Sequence, residues 1–387
     1  MSASSHRHRP SDCDVVVLGG GPAGAAAAIA LARAGVSVAI IERSRYEEPR
    51  IGETLPPSAR PLLAGLGVWE RFASAGHLPA PGVVSVWGED EPFESHFIFN
   101  ANGHGWHLDR QRFDAMLATA ADSAGARLYR GARLRSCLPL TRGWQIELTS
   151  DAPDDRRVHR IEARLVVDAT GRGAAFARQQ GAKRFAVDRL VGLAGVVAPR
   201  TRGRGCPTAA HNDCGGDAWT LVEACSDGWW YSALLPTGRW IAVYMTDADL
   251  LQRGRGSWRA FWQARLQETT HTRARLETLD LDAAPCAIAA SSSRLDRVSG
   301  DRWFAIGDAA IARDPLSAQG LVHALASGMH AGEAAIRRLG GDAAAPDEYA
   351  ARSDDLFREY TRLRAEHYAR EQRWSQSDFW RRRHSPP

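Results

Sequence analysis

A short β-branched run, Asp14 to Leu18, leads directly into Gly19-Gly20-Gly21-Pro22-Ala23-Gly24 and then into an Ala-rich stretch reaching about Ala34. Few patterns restrict a fold as tightly. Gly19, Gly21 and Gly24 satisfy G-x-G-x-x-G: the first permits a tight turn, the second lets backbone approach a pyrophosphate, and the third allows close helix packing. A helix opening at Pro22 and Ala23 aims its free amides at phosphate charge. Gly35 is placed as a C-cap. Val36 to Ile41 reads as a second buried strand ending at Glu42, whose carboxylate can accept from ribose hydroxyls, with Arg43 beside it. A purely structural glycine turn is the alternative, and the flanking strand, helix and acid weigh against it.

Further pieces of the same sheet lie far along the chain. Asp109 is a helix cap, followed by Phe113, Met116, Leu117 and Ala120 on one face and a closing Gly125. Val158–Ala163 reads as part of a β-excursion, and Leu165 to Arg172 as a return to a buried strand and a Gly turn, with Asp168 at the strand end as a cofactor-binding candidate. Trp303–Ile306 is a last buried strand, followed by Gly307-Asp308 and a helix from about Gly320 to Leu339. Between these pieces the pattern is mainly β: Val83–Trp87, His96–Phe99, and a hairpin of Trp229–Leu235 and Trp240–Met245 around Thr237-Gly238. A helix spans about Asp347 to Arg373, with Leu356, Tyr360 and Leu363 on one face.

Gly307-Asp308 decides which dinucleotide is expected. An Asp at a distant second strand end can accept from ribityl hydroxyls, which FAD has and NAD lacks. The expected fold class is α/β, a discontinuous Rossmann-like FAD domain (1–70, 108–183, 290–340). A β-sheet-rich substrate domain (71–107, 184–289) is inserted in it, and a C-terminal helical segment (341–387) follows. With both half-motifs in place, the chain resembles the flavoprotein monooxygenases with the para-hydroxybenzoate hydroxylase fold over nearly its whole length. Arg50-Ile51-Gly52-Glu53, Trp106-His107-Leu108-Asp109-Arg110, Gly228-Trp229-Trp230-Tyr231 and Asp314-Pro315-Leu316-Ser317-Ala318-Gln319-Gly320-Leu321 look like motifs of its tryptophan-halogenase-related branch. Most closely they are similar to the LodB-like flavoproteins of protein-derived quinone cofactor biogenesis. The resemblance implies that Pro315, Gln319, Gly320 and Leu321 lie against the isoalloxazine, whose reduced N1 anion a helix N-terminus stabilises. It implies that Arg110 reaches the FAD and that Arg50 lies close; a solvated surface charge is the alternative for each.

Of the 49 basic residues, 48 are Arg and one is Lys, at Lys183. Flavin-dependent tryptophan halogenases need a lysine near the substrate some tens of residues after the G-E motif. The corresponding stretch, Ala75 to Trp87, has none. The resemblance therefore points to a monooxygenase that hydroxylates an electron-rich ring through a flavin C4a-hydroperoxide. The ring is an indole or phenol, free or as a Trp or Tyr side chain of a partner protein or peptide. A halogenase and a non-oxygenating FAD-dependent reductase are the alternatives. Glu53, His104 and His107 are the catalytic candidates, as acceptors for a phenol O–H or indole N–H. Trp229, Trp230 and Tyr231 either line an aromatic pocket or pack a sheet core; alternation sets Trp230 on the face opposite its neighbours. No second dinucleotide fingerprint is visible, so electrons are expected from NAD(P)H directly or through a separate flavin reductase.

The remaining composition mostly excludes. The polar N-terminus and the short apolar runs give no secretory signal or membrane span, so a cytoplasmic location is expected. No basic face with interleaved aromatics suggests nucleic acid. Six scattered cysteines suit reduced thiols. Cys206, His211 and Cys214 match no closed zinc spacing, and no metal is expected. The C-terminal arginines, Arg362, Arg364, Arg370, Arg373 and Arg381–Arg383, either dock an acidic partner protein or form a solvated basic helix.

Overall fold

Val15, Val16 and Val17 are wholly buried, as residues flanked on both faces by helices must be in a parallel sheet. Their strand β1 (Cys13–Leu18) is central. It pairs in parallel with β2 (Val38–Glu42) on one side and with Val158–Asp168 on the other. Arg127–Arg130 extends the sheet beyond β2, and Trp303–Ala305 extends it beyond Val158–Asp168, both in parallel. The computed structural model describes residues 12–151, 158–199, 218–253, 256–281 and 284–384. Met1 to Pro10 and the Cys206, His211 and Cys214 group lie outside the described residues.

Val158–Ala163 and Leu165–Asp168 form one strand instead of two. Its first half pairs antiparallel with Gly143–Ser150 and its second half in parallel with β1, so the excursion grows out of the nucleotide sheet. Helix α1 (Pro22–Arg33) crosses the sheet against helix Gly320–Leu339. Small residues set this approach. A Cβ on Gly328 would lie 2.3 Å from the Ala23 carbonyl oxygen, and one on Gly332 would lie 2.9 Å from the Ala30 Cβ.

A second, mostly antiparallel sheet contains Leu190–Pro199, Trp240–Asp247, Gly228–Leu234, Thr220–Cys225, Gly82–Val86 and Phe93–His96, in that order. The expected hairpin forms, with Leu234 opposite Trp240. Residues 97–99 are a 3-10 turn, not the expected strand. Alternation splits Gly228–Leu234 as its sequence implies. Trp229 and Tyr231 join a cluster with Tyr368, Phe379 and Trp380, while Trp230 packs with Tyr244, Trp262 and Leu266 on the other face.

The C-terminal segment forms two helices, Ala345–Ala369 and Asp378–His384, in place of the single expected helix to Arg373. Most of its arginines find acids within the chain, Arg370 not among them. Arg364 pairs with Asp188 and Asp314, Arg373 with Glu371 and Asp90, Arg382 with Asp247 and Asp249, and Arg383 with Asp247. Arg362 pairs with Glu359 and Glu366 along its own helix. No described helix is long and apolar enough to cross a membrane.

Candidate functional site

The three glycines of the first turn differ in what surrounds them. Gly19, at φ +104°, would place a Cβ 2.3 Å from the Ala169 carbonyl oxygen, and Gly24 would place one 1.9 Å from the Gly19 carbonyl oxygen. Both are closed positions. Above Gly21 the nearest heavy atom is Arg50 Nη1 at 3.9 Å. Open space thus lies over the middle of the turn, where α1 begins at Pro22 and the first-turn amides that follow it have no partner within the helix.

Glu42 is buried at the end of β2. Its Oε2 accepts from Gly20 N at 2.7 Å, and its Oε1 accepts from Ser44 N and Oγ at 2.8 and 2.6 Å. The carboxylate thus pins the glycine turn to the strand end. Tyr46, at φ +63°, donates its hydroxyl to Gly20 O at 2.8 Å and closes the turn from the other side. Arg43 is exposed beside them.

Arg50 and Arg110 converge on a buried carboxylate that the sequence reading missed. Asp114 accepts from Arg50 Nη1 at 2.8 Å and from Arg110 Nε and Nη2 at 3.2 Å each. Arg50 also donates to Ser44 Oγ at 2.7 Å. Arg110 donates to the carbonyls of Ile51 and Gly52 at 3.0 and 2.8 Å, and so shapes the segment before Glu53. Neither side chain is a free surface charge. An acid four residues after Arg110, within the buried face of Phe113 and Leu117, was the available signal: buried acids are almost always paired.

Asp168 is engaged differently from its expected role. Oδ1 accepts from Thr170 N and Oγ1, and Oδ2 accepts from Phe176 N and Ala177 N at 3.0 and 2.8 Å. The carboxylate caps helix Ala175–Gln179 and keeps no oxygen for a ligand. Asp308 is half-exposed beside Arg172, 3.5 Å away, and follows Gly307, which has φ +53°. From Asp314 the chain makes a 3-10 turn over Pro315–Ser317 and passes through Ala318 at φ +49° and Gln319. It enters helix Gly320–Leu339 at an exposed glycine with no heavy atom within 4 Å of its Cβ position. Leu321 is buried behind it.

The catalytic candidates separate. His107 is fully buried, and both ring nitrogens are engaged: Nδ1 donates to Leu234 O and Nε2 accepts from Thr220 Oγ1, each at 2.9 Å. It ties two strands of the second sheet to Gly105–His107 and offers no open nitrogen. His104 is exposed, bonded to its neighbour's carbonyl and packed on Trp106. Glu53 is buried, with Oε2 accepting from Gly52 N and Oε1 without a hydrogen-bond partner. Burial pushes its pKa above the usual carboxylate range, opposed by hydrogen bonds from the Glu53 and Gly52 backbone amides, then by Arg110 and the Tyr231 hydroxyl. Tyr231 couples to the Glu53 carboxyl, and its phenol is held well above its ordinary pKa by burial and then by that carboxyl. Trp230, on the opposite face, has no place at this wall. Lys183, the chain's one lysine, is exposed before strand Arg184–Ala186, where its backbone pairs with Asp296.

The family model for FAD binding domains matches residues 12–361. The chain belongs to that family. Among its relatives is the putative FAD-dependent oxidoreductase LodB of Marinomonas mediterranea, 27% identical over 353 residues, which are 90% of each chain. Among solved structures, the peptidyl tryptophan dihydroxylase QhpG is 27% identical with a TM-score of 0.77, covering 97% of this chain and 79% of that one. The myxobacterial chondrochloren halogenase CndH shares the fold at a TM-score of 0.82 and 21% identity, over 97% and 87% of the two chains. This flavoprotein is an FAD-dependent oxidoreductase of the halogenase-related branch, as its motifs imply. The closed glycines, the opening over Gly21 and the bare helix start at Gly320 fit that cofactor.

Proposed function

We propose that this flavoprotein is a monooxygenase hydroxylating an electron-rich aromatic ring, an indole or phenol side chain of a partner protein or peptide. The observation that carries this reading is the buried Glu53 carboxyl, whose Oε1 lacks a partner beside the Tyr231 phenol. In this reading Gly19, Gly21 and Gly24 with Pro22 and Ala23 hold the pyrophosphate. Glu42 and Arg43 lie at the adenosine ribose, and Asp308 at the ribityl chain. Arg50 and Arg110, through Asp114, shape the floor, and Pro315 with Gln319, Gly320 and Leu321 faces the ring system. Bound and reduced, FAD would supply the chemistry that delivers one atom of dioxygen to the substrate ring and releases the other as water.

The chain's own residues orient the ring and handle its proton. Glu53 Oε1 accepts the indole N–H or phenol O–H of the substrate, which raises electron density on the ring. A carboxyl whose pKa is raised toward the working pH suits that task. Tyr231 fixes the carboxyl's orientation and walls the site with apolar surface. The likeness to a peptidyl tryptophan dihydroxylase supports a ring borne on a polypeptide.

The test supplies FAD, an NAD(P)H-driven flavin reductase and Trp- or Tyr-bearing peptides, and reads product mass. A gain of one or two oxygens, lost in Glu53→Ala, is expected. Halogen incorporation with bromide or chloride present would replace this reading with halogenation, the activity of several relatives. Turnover of NAD(P)H without the added reductase would identify NAD(P)H as direct donor.

A further inference from the structure

The inward face of helix Ala345–Ala369 carries Tyr360, Arg364 and Tyr368 at successive fourth positions, and all three meet one carboxylate-bearing residue. Asp314 N donates to the Tyr360 hydroxyl at 2.7 Å, and that hydroxyl is 2.6 Å from Ser292 Oγ. Arg364 donates Nε to Asp314 Oδ2 at 3.0 Å and Nη2 to Asp188 Oδ2 at 2.8 Å. The Tyr368 hydroxyl donates to the same Asp314 Oδ2 at 2.9 Å and accepts from Trp229 Nε1 at 3.1 Å. The other oxygen, Oδ1, accepts from Leu316 N at 3.0 Å and so caps the turn that leads to Gly320. Asp314 and Tyr368 are both fully buried, where hydrogen bonds to charge are short, directional and strong.

This is more fixation than a surface turn needs. The segment it holds includes Ala318 in the left-handed region, a conformation that persists only where surroundings over-determine it. Two residues later begins the 20-residue helix whose free amides carry partial positive charge. We propose that Tyr368 and Arg364 are positioning residues that, acting through Asp314, fix the Gly320 and Leu321 amides against the flavin ring and thereby set its reduction potential. The inference rests on the FAD reading above. Reduced flavin is anionic, so amides held close stabilise it, and amides that drift favour the oxidised form. The bond from Trp229 ties the same device to the strand that carries Tyr231.

The test uses purified holoenzyme without substrate and reads FAD content, visible absorption and midpoint potential. Tyr368→Phe keeps the ring and removes the hydroxyl; Arg364→Lys keeps the charge and removes the fork, and serves where the first variant fails to fold. Each is expected to retain FAD, with a perturbed visible band and a midpoint more negative than wild type. Tyr349→Phe is the control. It removes a buried hydroxyl of the same helix, bonded to Ala305 O at 2.7 Å, and is expected to lower melting temperature while leaving the potential unchanged. Wild-type potentials in both positioning variants, or an equal shift in Tyr349→Phe, would overturn the proposal. A chain that binds no FAD overturns it together with the reading beneath it. A holoenzyme that shows the shift but hydroxylates nothing removes only the hydroxylase reading.

Discussion

Gly21 and Gly24 stand in one turn and should respond oppositely to the same methyl group. Gly24→Ala forces a Cβ onto the Gly19 carbonyl, so lost yield or a melting drop worth roughly 1–3 kcal/mol is expected. Gly21→Ala meets nothing nearer than 3.9 Å; circular dichroism and apo-protein melting should be unchanged while FAD content falls sharply. Glu53 makes a second prediction. Its folded pKa lies above its ordinary 4.5, so the folded state holds the proton longer than the unfolded state does. Stability is then lost as pH rises from about 4.5 through the folded value. Glu53→Gln should match wild-type melting in acid and exceed it increasingly as pH rises; a constant difference across pH would refute this. Glu53 was legible because it stands in a motif. Tyr231 as its neighbour was not, because the pairing joins two sheets. Asp168 was misread because a strand-end acid caps a helix or meets a ligand with the same local sequence.

Local periodicity served elements well where burial follows apolarity. Helix Gly320–Leu339 and the Gly228–Leu234 hairpin lie where pattern and turn residues place them. It failed on helix Ala345–Ala369. Leu356 and Leu363, placed on one face with Tyr360, are 38% and 49% exposed and border a groove of about 460 Å³ with Leu316. The inward face is Tyr360, Arg364 and Tyr368, hydrogen-bonded rather than greasy, so hydrophobic periodicity ranks it wrongly. The turn it holds offers a test at its own scale. Ala318→Gly removes the Cβ penalty of the left-handed region, about 1 kcal/mol less a glycine's greater entropy loss. Melting temperature should hold or rise slightly. A clear fall would mean that the Ala318 methyl contributes packing that outweighs its strain.

Across the whole molecule, buried histidines weaken the fold in acid, His77 and His323 foremost. Burial holds His77 down to about 4 and His323 to about 3, against an ordinary 6.5. The unfolded chain therefore takes up protons first as pH falls below about 6.5, and stability drops through that window toward the folded values. Thermal melts should show a decline from pH 6.5 to 4 that is shallower in His323→Gln; an unchanged slope would place the loss elsewhere. The order of the α/β pieces was legible because each carries its own glycine or strand signal. The closure of the molecule was not, since Asp314 meets Tyr368 across 54 residues and Trp229 meets it across 139. That closure has a consequence for biogenesis. The glycine turn leaves the ribosome early, but the Pro315–Ser317 turn and the Asp314 that caps it lack their bonds with Tyr360, Arg364 and Tyr368 until those residues have emerged. Nascent chains from which residue 340 but not residue 360 has emerged should therefore display a formed glycine turn and a Pro315–Ser317 turn without these bonds, so that, on the FAD reading proposed above, capture of the cofactor comes late in the life of the polypeptide.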